Sequence, residues 1–161
     1  MVKKMIEQLR ERLKGKKTVI LGIGNSMRGD DGVGPALIER LQGKVSATLI
    51  DGGEVPENYL GPIEAAKPEA VLIVDAADLR ASPGDVALIE IEQLAQTGIS
   101  THNASLGLFA SVVQSLTGAD ILVLAVQPEF NSFGAGMSEA VERTLEWLEE
   151  ALEGIFTFPR A

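Results

Sequence analysis

The apolar run Thr18-Val-Ile-Leu-Gly-Ile leads straight into GNSMRGDDGVGP, Gly24 to Pro35. A strand, a glycine-rich loop and a helix in that order are how an open α/β sheet begins. In such sheets ligands bind at the carboxyl ends of the strands. The loop carries two adjacent carboxylates, Asp30 and Asp31, where a phosphate binder would carry a lysine. That pair points away from nucleotides and toward a metal or a hydrolytic reaction.

The rest of the chain continues the alternation. Met5, Leu9 and Leu13 recur at helical spacing, so residues Val2 to Leu13 read as a short helix. A strand is expected over Thr18 to Gly22 and a helix over Gly32 to Leu41, with Asp30 or Asp31 as its cap and Pro35 in its first turn. Further strands are expected over Ala47 to Asp51, closed by Gly52-Gly53, over Ala70 to Asp75, over Asp85 to Ile91 and over Ile121 to Val126. The third strand is nearly all apolar and reads as buried on both faces. Helices are expected over Glu57 to Ala66, from Asn103 or Ala104 to about Leu116, and over Ser138 to Leu152, the last ended by Gly154. Asp78 reads as a turn former, and the acids Glu146, Glu149, Glu150 and Glu153 as a solvated helix face.

This order predicts an α/β fold: a twisted, mostly parallel five-stranded sheet with helices on both faces. Only about nine residues join the third and fourth strands, too few for a crossover helix, so these two run antiparallel. The fourth strand then ends at the opposite sheet edge, and Glu92 to Thr101 must climb back. Ten extended residues span roughly 30 Å, which suffices. His102, the single histidine, thereby reaches the edge that holds Asp31 and Asp75. Two carboxylates and one imidazole suit a borderline divalent ion such as nickel or zinc, with positions left open for substrate or water.

Composition removes competing classes. The chain has 161 residues, enough for one domain spanning 1–161, and a formal net charge of −9. So acidic a chain repels nucleic-acid phosphates and anionic lipid. Cysteine is absent, which excludes disulfides, zinc–thiolate sites and thiol catalysis. No apolar run reaches the roughly 18 residues of a membrane span, and the basic N-terminal segment lacks the apolar stretch of a secretion signal. A cytoplasmic location is expected. Gly22-x-Gly24 is followed by Met27, which fails the dinucleotide fingerprint, and no P-loop, G-x-S-x-G elbow or paired D-T-G loops occur.

Several motifs in order resemble the hydrogenase maturation endopeptidases. They are GNSMRGDDGVGP, Ile50-Asp-Gly-Gly with Pro56-Glu-Asn58, Leu72-Ile-Val-Asp-Ala76 with Asp78, Pro83-Gly84, Thr101-His-Asn103 and Val126-Gln-Pro128. The likeness runs from Thr18 to Leu152 and is strongest to the branch serving formate-hydrogenlyase and energy-converting [NiFe] hydrogenases. It implies a phosphorylase/hydrolase-like fold. It also implies removal of a C-terminal extension from a [NiFe] hydrogenase large-subunit precursor after nickel insertion. Asp31, Asp75 and His102 carry over by motif as the metal-contacting and catalytic residues. They would recognise nickel supplied by the precursor, with no organic cofactor, and one Asp would activate water; an aspartic-type or a metal-dependent label would fit equally. Gly24, Asn25, Asp51, Gly52, Gly53, Thr101 and Gln127 are expected to line the cleft for the incoming peptide. The helical extension 1–15 and the apolar tail 154–161 are additions to the family pattern with no assigned role. A monomer is expected. Two alternatives stand beside this reading: a non-hydrolytic, chaperone-like module that binds the precursor, and an unrelated aminopeptidase or nucleoside phosphorylase on the same fold.

Overall fold

The structure, a computed structural model, describes residues 2–94, 100–101 and 106–158, and at 100–101 the backbone alone. Four strands run parallel: β1 (Thr18–Ile23), β2 (Thr48–Gly53), β3 (Ala70–Asp78) and β6 (Asp120–Val126). Strand β4 (Val86–Ile89) lies antiparallel to β6 at one edge, and the order across the sheet is β2-β1-β3-β6-β4. A two-residue strand, β5 (Ser100–Thr101), pairs antiparallel with Ala77 and Asp78 at the end of β3. The predicted architecture, including the direction of the fourth strand, is the observed one.

Period-two alternation divides the core between the two faces of the sheet. Ile20, Leu72, Val74, Leu122 and Leu124 face α1 (Val2–Leu13), α2 (Val33–Leu41) and α6 (Glu139–Ile155). Val19, Leu21, Val71, Ile73, Ile121 and Val123 face α3 (Leu60–Ala65), α4 (Ile91–Leu94) and α5 (Leu106–Thr117). Asp75 is two residues on from Ile73, so strand parity sends its side chain to the α5 face, yet it is as buried as its apolar neighbours. The chain leaves β1 toward β2 on one side and returns to β3 on the other. The order of strands therefore reverses between β1 and β3, the usual place for a ligand crevice.

Several boundaries differ from the sequence-based expectation. Helix α2 is preceded by a 3-10 turn, Gly29–Gly32, and its N-cap is Gly32 with no side-chain bond. Neither Asp30 nor Asp31 caps it, because both carboxylates accept loop amides instead. The segment expected as one helix after β2 splits into a 3-10 turn, Pro56–Tyr59, and α3. Strand β3 runs three residues past Asp75, and β4 is shorter than expected. The return toward the site is not wholly extended, since Ile91–Leu94 form a helical turn.

Helix α6 does not stop at Gly154 but continues to Ile155. Ile155 and Phe156 are buried in the core, and that burial outweighs the roughly 1 kcal/mol helix penalty of a glycine. The apolar tail thus closes one core layer, and the Ser46 N–H donates to the Phe156 carbonyl. Helix α1 buries Leu9 and Leu13 as expected, and its Arg12 donates to both Glu90 and Asp120. The α6 acids are not uniformly solvated. Glu149 is half-buried and accepts from Arg40 and Lys44, tying α6 to α2 and the turn after it.

Candidate functional site

The site is built where β1 and β3 end. Asp31 sits in the 3-10 turn that follows β1 and is buried. Its Oδ2 accepts the Asn25 N–H at 3.0 Å, while the Asn25 side chain accepts the Met27 N–H at 2.8 Å. The loop therefore closes on itself around Asp31. Glycine at position 24 makes that closure possible: its φ is +142°, and a Cβ there would lie 1.9 Å from the Asp31 carbonyl oxygen.

Asp75 occupies β3 opposite Ala125 of β6, with no solvent exposure. Among the described residues neither of its carboxylate oxygens has a hydrogen-bond partner. Burial pushes its carboxyl well above the ordinary carboxylate range, and the charge of Asp31 pushes the same way. The Ala76 amide opposes both effects only in part, and lies outside hydrogen-bonding geometry. A buried, unpartnered carboxyl close enough to a second one to feel its charge is costly. Such a pair is the arrangement a cation relieves.

The third expected residue, His102, lies outside the described residues, as does the expected helix start at Asn103 or Ala104. Thr101 pairs through its backbone with Ala77, two residues past Asp75. Among the described residues no group of three acidic or histidine side chains is arranged to hold a metal.

The residues expected to line the cleft fall at the same sheet edge. The Gly24 N–H donates to the Gly53 carbonyl at 2.9 Å, joining the loops after β1 and β2. Asp51 is exposed, and its Oδ1 accepts the Gly53 N–H, so this carboxylate shapes the end of β2, where Gly53 has φ +55°. Gly52 is buried beside Leu21. The Gln127 amide is engaged within the fold. Its oxygen accepts the Leu79 and Ala81 N–H groups at 2.6 and 3.3 Å, and its nitrogen donates to the Pro128 carbonyl. Asp78 does form a turn, accepting the Arg80 N–H.

Asp30 has a larger part than sequence reasoning gave it. With no solvent exposure, it accepts Ser138 N–H on Oδ1 at 2.7 Å, and Glu129 and Phe130 N–H on Oδ2 at 2.8 and 3.0 Å. The neighbouring acids have therefore separated: Asp30 braces the loop after β6, and Asp31 belongs to the crevice. No local spacing announces this, because the partners are about a hundred residues away. A cavity of about 800 Å³ lies elsewhere, between α1, α6 and the segment 79–87, and contains none of the expected site residues. Converging chemistry, rather than volume, makes Asp31 and Asp75 the candidate site.

Known proteins share this architecture. A family model of the HycI hydrogenase maturation proteases matches residues 32–155. The hydrogenase 3 maturation protease of Escherichia coli K12 is 34% identical over 139 residues, covering 84% of this chain and 88% of its own. The crystal structure of the [NiFe] hydrogenase maturation protease HycI from Thermococcus kodakarensis superposes with a TM-score of 0.84 at 34% identity, over 92% of this chain and 97% of that one. The hydrogenase maturating endopeptidase HybD of E. coli shares the fold, with a TM-score of 0.67 at 24% identity over 86% and 89% of the two chains. The fold and these relatives agree, and the chain belongs to the hydrogenase maturation proteases.

Proposed function

We propose that this peptidase removes the C-terminal extension of a [NiFe] hydrogenase large-subunit precursor once nickel has been inserted. In this reading Asp31, Asp75 and His102 recognise the nickel that the precursor carries. The observation that supports it is Asp75, fully buried, with two unpartnered oxygens among the described residues and the charge of Asp31 beside it. An isolated enzyme gains nothing from such a pair, whereas a divalent cation arriving with the substrate would satisfy it. Two short acids and one imidazole form an open ligand set, so the chain alone retains nickel weakly.

The residues then divide the work. Asp31 is oriented by the Asn25 N–H and would meet the incoming cation beside Asp75. A divalent ion polarises a peptide carbonyl and makes a bound water acidic near neutrality. Burial and Asp31 hold the Asp75 carboxyl toward its protonated form in the metal-free chain, and an arriving cation would reverse that and draw the carboxylate into its ligand set. In the same proposal the reaction is cytoplasmic and the chain acts as a monomer. Among the described residues no helix is long and apolar enough to cross a membrane.

The test is incubation of the purified protein with nickel-loaded and nickel-free precursor, followed by mass spectrometry. The nickel-loaded precursor alone loses its extension, and Asp31→Asn and His102→Ala, both folded, leave it intact. Undiminished cleavage by both variants, or equal cleavage without nickel, overturns the reading. Binding without any mass change would instead mark a non-hydrolytic module.

A further inference from the structure

The loop after β6 is locked to the loop after β1 by a dense set of backbone bonds. Besides the three amides that Asp30 accepts, the Asp30 N–H donates to the Phe130 carbonyl at 2.6 Å. The Gly134 N–H donates to the Met27 carbonyl at 2.8 Å. Gly29 lets the two loops approach: its φ is +54°, and a Cβ there would lie 2.6 Å from the Phe130 oxygen. The frame is thus built of main chain and one buried carboxylate, and spends no large side chain.

Its large side chains face outward. Met27 is 60% exposed, Phe130 49% and Phe133 67%, three of the nine large apolar side chains exposed among the described residues. Large apolar groups exposed together on two loops bonded to one another mark an interaction site. The cluster adjoins the crevice. Met27 lies four residues before Asp31 in one closed loop, and Phe130 is bonded in both directions to Asp30. Charge selects the occupant: with a net charge of −9, two copies of the chain repel one another, as do the chain and an anionic lipid surface. What must come to this rim is the polypeptide whose peptide bond reaches Asp31 and Asp75.

We propose that Met27, Phe130 and Phe133 form a docking surface for an apolar segment of the protein substrate, seated beside the bond that is cut. The proposal rests on the reading of the crevice given above and adds the surface that holds the substrate there. The three side chains contribute no hydrogen bond to the frame, so replacing them leaves the brace between the loops in place.

The experiment compares the wild type with Met27→Ser/Phe130→Ser/Phe133→Ser and with the single variant Phe133→Ser, using the nickel-loaded large-subunit precursor of the same organism. The triple variant is expected to raise KM on the order of tenfold or more, with the loss carried by KM rather than kcat. Phe133→Ser is expected to show a smaller rise of the same kind. Leu116→Ser, at an exposed apolar position on α5, serves as the control and leaves KM unchanged. An unchanged KM in folded triple and single variants overturns the proposal, and so does a fall in kcat alone. A wild-type dimer that the triple variant abolishes also overturns it, because the patch then joins two copies. Calorimetric binding of the same precursor separates the two readings. A wild type that binds without cutting refutes the proposed reaction, while a tenfold weaker triple variant still upholds the surface and equal affinity refutes it.

Discussion

Asp30 and Asp75 are both fully buried, so burial alone predicts that neutralising either has the same effect on stability. Their surroundings predict opposite effects. In Asp30→Asn the remaining carbonyl oxygen can serve the Glu129 and Phe130 amides, which leaves an NH2 group facing the Ser138 N–H now bonded at 2.7 Å. A buried donor left without an acceptor costs about 1–3 kcal/mol. Two bonds to a charged acceptor that become bonds to a neutral one lose about 1 kcal/mol each. Easier burial of the neutral amide offsets part of this sum, and the net expectation is a loss of about 3 kcal/mol. Asp75→Asn removes a buried charge and its repulsion from Asp31 and puts an equally unpartnered neutral amide in its place, which costs less to bury than the charge. It should stabilise the protein by about 1–2 kcal/mol. Urea unfolding at pH 7 with a chelator reads both effects. With a slope of about 2 kcal/mol/M, the Asp30→Asn midpoint falls by about 1.5 M and the Asp75→Asn midpoint rises by about half to one molar. A destabilised Asp75→Asn, or an Asp30→Asn within about 0.5 kcal/mol of wild type, would refute the reasoning.

Three further outcomes follow from the same geometry. The Asp75 carboxyl binds its proton more tightly folded than unfolded, so the folded state holds the extra proton across that interval. The contribution of Asp75 to stability is therefore fully present below the ordinary carboxylate value of 3.8 and is lost as pH rises from there through the raised folded value. Asp75→Asn should flatten this slope in chelator-treated protein, and an unchanged slope would count against it. Gly24→Ala places a methyl 1.9 Å from the Asp31 carbonyl oxygen, so the loop must open. A loss on the order of 3 kcal/mol in urea unfolding is expected, and a neutral result would show that the loop closes differently. Arg12→Ala removes the donors to Glu90 and Asp120 and should cost about 1 kcal/mol, with faster amide exchange confined to Val2–Leu13. Uniformly faster exchange would mean that α1 belongs to the global unfolding unit.

What could be read from the sequence was local or directional. Alternating apolar runs gave the four parallel strands, and the short link after β3 gave the reversed β4. The start of α6 was legible at Ser138, whose hydroxyl caps the helix by accepting the Val141 N–H three residues on. Chain order and strand direction also placed Asp31 and Asp75 at one edge before any contact was known. The roles of Asp30, Gln127 and Arg12 were not legible, since each depends on partners 46 to 108 residues distant. The end of α6 was misread for a related reason. Gly154 is a stop signal locally, but Ile155 and Phe156 are drawn into a core that the local sequence does not reveal.

The pair Asp30-Asp31 shows why residue type alone underdetermines role. Both lie in one 3-10 turn and both are buried, and their backbones differ by a single step. Asp30 spends both oxygens on three amides of the loop after β6 and so gains rigidity. Asp31 accepts the Asn25 amide and lies close enough to Asp75 to raise its proton affinity. The first arrangement lowers the free energy of the folded chain, and the second raises it. Alone, such a pair is eased by a proton on Asp75; a divalent cation would ease it further. On the proposed reading, a cation carried by the precursor would provide that relief. Selectivity for the mature metal centre would then follow from the same electrostatic strain that weakens the enzyme alone.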